Sequence, residues 1–380
     1  NEPRHNSDFL PLKNVVLVTI NYRLGVFGFL ATSDLAKEAG GTAGNYGMMD
    51  MIAALQWVKA NIKEFGGDPD NVTIFGESAG SFAVSSLMAS PAARGLFHKA
   101  IGESGGALGA GALTYEPLTV RAAKDDKWVA GLNVSSLAEL RALPTDKILA
   151  AAKPGVNFPP NIDGKVLTEP VAETYAIGNQ AHVPLLAGWN SDEGSFIAMG
   201  GMTLDKFKGM ATALFKDKAP DFLKLYPAEN DAQALRSAID YGSDSFIALG
   251  TWRWLEAHRK TGQAPVYRYH FELAATPSKF HPGTYAFHSD DIEYVFGTLD
   301  TRPGWNVRPE DRTLSDQVMT YWTNFAKTGD PNGPGMPTWP KYTDAGYPLI
   351  HLNSTITSGP DETRARYEFL EANPPAPMFR

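Results

Sequence analysis

Not one of the 380 residues is cysteine. Disulfides, thiolate metal sites and a cysteine nucleophile are excluded together. The absence leaves the compartment open, because secreted proteins without disulfides exist. Positive charge is in deficit as well. The 34 Lys and Arg stand against 42 Asp and Glu, a formal charge of −8, which disfavours an electrostatic nucleic-acid partner. No apolar run approaches the ~18 residues of a membrane-spanning helix. Fixed-period repeats, low-complexity tracts and long linkers are also missing. The first residue is Asn1, so a signal peptide would be invisible, and secreted, periplasmic and cytoplasmic locations all stay open. What is present is 43% apolar and 20% charged residues, the composition of a globular chain with a sizeable core. The length exceeds an ordinary domain of about 100–150 residues, but large α/β domains pass that size.

The apolar pattern predicts alternating strands and helices. Val15–Ile20 (VVLVTI) reads as a buried parallel strand, being short, continuous and β-branched. Beyond a glycine-rich turn, Asn45 is placed to cap a helix on which Met48, Ile52, Leu55, Val58 and Ile62 recur at helical spacing. Val72–Phe75 (VTIF) and Lys99–Gly102 read as strands flanking a helix over Ser81–Ala89. Val183–Gly188 and Val266–Phe271 read as further strands, with a last edge strand at Pro348–Leu352. Helices are expected near Ser243–Lys260 and Asp311–Lys327, and 153–164 reads as loop. This succession predicts βαβ units and a mostly parallel central sheet covered by helices on both faces. One domain over residues 1–380 is the economical reading, with helical insertions around 110–155 and 200–260.

The sharpest local pattern is Gly76-Glu77-Ser78-Ala79-Gly80, set between the VTIF strand and an apolar helix. A nucleophile elbow needs a tight strand-to-helix turn, with flanking glycines leaving room for close packing. The helix start also puts the Ala79 N–H where an oxyanion would develop. An ordinary turn with serine as a cap would give the same five letters. Serine also needs a general base and an orienting acid. The eight histidines leave that choice open from local pattern alone.

A wider resemblance narrows it. The run from Phe65 to Gly80 (FGGDPDNVTIFGESAG) resembles the active-serine signature of type-B carboxylesterases. Asn21–Phe29 (NYRLGVFGF), Ala54–Val58 (ALQWV) and Trp322–Asn332 (WTNFAKTGDPN) are similar to the same family. The resemblance implies an α/β-hydrolase fold and a small-molecule ester as substrate. It implies no metal or organic cofactor. Its catalytic-histidine segment matches His288-Ser289-Asp290-Asp291, with His281 the nearby rival. Its acid loop matches Gly188–Gly194 and implies Glu193, with Asp192 the local rival. The order Ser78, Glu193, His288 is the nucleophile–acid–base order of α/β-hydrolases. Glu77 matches a glutamate bordering the site, and Ser104 a serine behind the acid or base. Phe158, Trp189, Phe196 and Phe287 are candidates to line an apolar acyl site.

One part of the pattern is absent. The family places a glycine-rich His-Gly-Gly-Gly loop just before the strand equivalent to Val15–Ile20, and no such run occurs. The expectation is that a segment of roughly a hundred residues, with early strands and that loop, precedes Asn1. An inactive natural truncation, or substitution by Gly105-Gly106, are the alternatives. The implied function is ester hydrolysis through an acyl-enzyme. A catalytically silent binding or adhesion protein on the same fold is the other class, and amides, lactones or carbamates are other substrates. Oligomeric state stays open.

Overall fold

The computed structural model of the chain describes residues 3–109, 114–277 and 283–375. The main sheet takes its six strands in chain order: β1 (Thr73–Glu77), β2 (Lys99–Glu103), β3 (Leu185–Asn190), β4 (Val266–Phe271), β5 (Leu349–Leu352) and β6 (Thr357–Gly359). The first five run parallel, and β6 returns antiparallel along β5. The edge strand on that side is therefore β6, not the segment ending at Leu352.

Burial explains why these runs carry few polar residues. All six positions of β3 are buried, as a strand covered on both faces requires. Its residues alternate between two cores: Leu185, Ala187 and Trp189 face one, and Leu186 faces the other. The first core is completed by α1 (Tyr46–Asn61), α2 (Ala79–Ala89) and α3 (Leu249–Thr261). The second is completed by α4 (Ile292–Phe296) and α5 (Pro309–Thr328). Helices on both faces of a mostly parallel sheet match the predicted architecture. Helix α5 opens on Pro309, whose missing N–H is one the first turn leaves unpaired anyway. It closes at Gly329 with φ 79°.

Both middle segments carry helices among the described residues. Leu118–Ala130, Leu137–Ala142 and Thr145–Ala151 lie in the first, whose residues 110–113 fall outside the described set. A short two-residue ladder, Glu116–Pro117 with Asn161–Ile162, ties its ends together. In the second, Leu204–Phe215, Ala219–Leu225 and Asp231–Ser243 form a core of their own around Phe222.

Two expectations need correction. Val15–Ile20 is not a strand, and Val16, Val18 and Ile20 are exposed. A strand exists by pairing its backbone with a neighbour, and β1 ends the sheet on this side among the described residues. Between this segment and β1 runs an apolar groove of about 700 Å³, bordered by Val15, Leu17, Leu55, Val58 and Val72. Asn45 does precede α1, but its side chain makes no capping bond. It instead grips the backbone of Asn161, donating at 2.8 Å and accepting at 3.0 Å. Among the described residues no helix is long and apolar enough to cross a membrane.

Candidate active site

Ser78 is the hinge between β1 and α2, with φ 53° and ψ −116°. Such a backbone costs a non-glycine residue about 1–3 kcal/mol and persists only where its surroundings fix it. They do so here. The Ser78 N–H donates to Glu103 O at 2.8 Å, and Ser78 O accepts from the Phe82 N–H at 3.0 Å. A Cβ on Gly76 would lie 2.6 Å from the Gly80 carbonyl carbon, so the turn closes only over glycine. Gly80 differs: among the described residues a Cβ there meets nothing within 4 Å. Only the first of the two flanking glycines is demanded by packing. Ala79, the first residue of α2, is exposed, and its N–H has no intrahelical acceptor.

Three side chains from distant parts of the chain converge on this turn. His288 Nε2 lies 2.8 Å from Ser78 Oγ, and His288 Nδ1 lies 2.5 Å from Glu193 Oε2. Glu193 is fully buried, and its other oxygen accepts from Ser104 Oγ at 2.5 Å and from the Asn190 N–H at 2.8 Å. Ser104 itself follows β2 in the left-handed region, at φ 55°. Asp192, the rival acid, does not face the imidazole. It pairs with Arg236 and accepts from the Ala286 N–H at 3.1 Å, so it anchors the arm that carries His288. The rival base, His281, lies outside the described residues.

Several residues that fix this arm carried no separate signal in the sequence. Asn190 donates through Nδ2 to Phe287 O at 2.9 Å and to Asp291 Oδ1 at 3.2 Å. Asp291 also accepts from the Tyr269 hydroxyl at 2.9 Å, and Asp290 pairs with Arg302. Both carboxylates therefore hold His288 from the C-terminal side. Glycines of the proposed substitute loop are used for packing: a Cβ on Gly105 would lie 2.9 Å from Ser78 O, and one on Gly106 2.7 Å from Gly250 O.

Charge at the site is set by burial and by Glu193. Burial pushes the Glu77 carboxyl up to about 9, with the charge of Asp291 adding to the rise and that of His288 opposing it. Glu77 Oε1 lies 3.5 Å from His288 Nε2 and has no hydrogen-bond partner among the described residues. Burial alone would lower His288, but the hydrogen bond and charge of Glu193 outweigh it and raise the imidazole to about 9, with Glu77 and Asp291 contributing. A protonated Glu77 withdraws its share. The upward direction then rests chiefly on Glu193.

The four aromatic candidates separate. Trp189 is core, packed under the Arg268 guanidinium at 4.4 Å. Phe158 is buried edge-on against Trp128 at 5.0 Å. Phe287 carries the Arg302 guanidinium 5.1 Å above its ring. Only Phe196 leads toward the site, and it does so through a residue the sequence did not single out. Phe246 packs 5.9 Å from Phe196 and 5.3 Å from the His288 ring. It comes from a π-helical turn, Asp244–Ala248, between the helix Asp231–Ser243 and α3.

The chain is similar to known proteins along most of its length. A family model described as the carboxylesterase family matches residues 2–370. Human cocaine esterase is 36% identical over 368 residues, covering 90% of this chain and 64% of that protein. Para-nitrobenzyl esterase of Bacillus subtilis is 34% identical over 376 residues, covering 94% and 73%. A solved PNB esterase superposes with a TM-score of 0.79 at 31% identity, over 96% of this chain and 75% of that one. The fold is that of the α/β-hydrolases. The chain thus spans a little under two thirds of the human relative's length, and over that span it belongs to the carboxylesterase family.

Proposed function

We propose that this chain hydrolyses carboxylic esters through an acyl-enzyme formed on Ser78. The observation that carries the reading is the unbroken relay from Ser78 Oγ through His288 to Glu193, at 2.8 and 2.5 Å. In the first half-reaction Ser78 Oγ attacks the ester carbonyl while His288 Nε2 takes its proton. Glu193, held by Ser104 and Asn190, keeps the imidazole oriented and stabilises the imidazolium. The Ala79 N–H and the start of α2 face the developing oxyanion. His288 then protonates the leaving alcohol, and water repeats the cycle on the acyl group.

Phe246 and Phe196 give the site an apolar flank, which suits an ester with an aromatic or acyl group lying against them. A silent binding protein would have no need of the strain at Ser78 or of a buried acid behind its histidine. A para-nitrophenyl ester is the direct probe. Replacing Ser78 with Ala should lower turnover by about 10⁶, as loss of the nucleophile does in other serine hydrolases. Retention of most turnover in a folded Ser78→Ala protein would contradict the assignment.

A further inference from the structure

Outside the relay, β4 and β5 bring a second set of chemistry-bearing side chains together. His270 and His351 are register partners on these adjacent parallel strands, so their side chains share one face. Glu272 follows His270 by two residues and returns to that face. Its backbone N–H donates to Leu352 O at 2.8 Å, extending the ladder past the end of β4. Both imidazoles close on one oxygen: His270 Nδ1 lies 2.8 Å and His351 Nδ1 2.6 Å from Glu272 Oε1. The three side chains are 22%, 28% and 26% exposed, so the group is rigidly mounted yet open to solvent.

We propose that His270 Nδ1, His351 Nδ1 and the Glu272 carboxylate bind one divalent transition-metal ion of the zinc type. The three ligand atoms already lie within 4.8 Å of one another. A tetrahedral centre with ligands about 2.0–2.1 Å away separates them by about 3.3 Å, so each imidazole nitrogen would draw back from Glu272 Oε1 by roughly half an ångström. Two imidazoles and one carboxylate suit zinc, nickel or copper, and the exposed side leaves a position for water. Magnesium and calcium, which prefer all-oxygen shells, fit poorly. On binding, each imidazole keeps one proton on Nε2 and offers the Nδ1 lone pair, and any further proton leaves to solvent. No oxidation state changes.

The surroundings favour a cation. The nearby Arg268 is committed to Asp361 in a fully buried pair, and Glu362 adds negative charge near His351. A bound ion would tie β4 to β5 at the root of the arm leading to His288.

The test uses the chain freed of metal by a chelator and titrated with zinc chloride in a calorimeter. One equivalent should bind and raise the melting temperature. His351→Gln and Glu272→Gln, checked for folding by far-ultraviolet circular dichroism, should each weaken that binding by about 100-fold or more, beyond the effect of losing a residue that merely orients a ligand. Cobalt(II) loaded into the parent chain should give visible absorption of a tetrahedral centre, a readout independent of whether a variant folds. Absence of stoichiometric zinc uptake, absence of the cobalt band, or undiminished affinity in either folded variant would overturn the proposal.

Discussion

At the residue scale, the site combines a backbone strained at one point with a carboxylate buried at another. Ser78 is held at φ 53° by bonds to two neighbouring elements, and Glu193 is held by Ser104, Asn190 and His288 at once. Glu193 raises His288, so the acid limb of kcat/KM should lie above the ordinary histidine value of about 6.5. Replacing Glu193 with Gln removes the negative charge, so the limb should move to lower pH while turnover falls. An unmoved limb in Glu193→Gln would show that another group sets it. Glu77, whose carboxyl burial raises to about 9, is electrically neutral at pH 7. Glu77→Gln should therefore leave kcat/KM at pH 7 within about threefold, well under 1 kcal/mol by the usual conversion. Glu77→Lys should cost far more, since it puts a cation beside the imidazolium. Steady-state kinetics on the two variants decide this.

At the element scale, what the sequence disclosed depended on whether the signal was local. Ser78 was legible because its strand, its turn and its helix are contiguous. His288 and Glu193 were not legible that way. Periodicity could not rank eight histidines, and only the resemblance of the surrounding segments chose between them. Phe246 left no trace, because it reaches His288 across a π-turn in an insertion whose sequence resembles nothing specific. Val15–Ile20 departs from its pattern for a different reason. A β-branched run reports what could pair, not whether a partner stands beside it. Hydrogen–deuterium exchange on this chain should therefore show fast exchange at 15–20 and strong protection in β3 and β4, whose neighbours are paired on both sides. Protection at 15–20 equal to that of β3 would mean that the segment is paired in solution. Gly76 offers a sharper test of the turn. Gly76→Ala pushes a methyl to within 2.6 Å of the Gly80 backbone, and should destabilise the chain by about 1–3 kcal/mol in chemical denaturation. Gly80→Ala has open space and should be milder.

At the scale of the whole molecule, the carboxyl edge of the sheet concentrates groups that hold protons in the folded state. Burial raises Glu77 to about 9, and burial with the charge of Asp291 raises Glu103 to about 8 despite its bond from Trp322. Glu193 raises His288 to about 9 against its burial. An unfolded chain releases these protons near 4.5 for the glutamates and 6.5 for the histidine. Between those values and about 8–9 the folded state binds more protons, so stability falls as pH rises. Calorimetry should find a lower melting temperature at pH 9 than at pH 6.5, and an increase would contradict the assigned directions. A reactive serine assembled by these elements has a direct readout. The chain should be treated with a fluorophosphonate and the adduct located by peptide mass spectrometry. One stoichiometric adduct is expected on Ser78, strongly reduced in His288→Ala. A folded chain that leaves Ser78 unlabelled, or labels it equally without His288, would contradict that expectation.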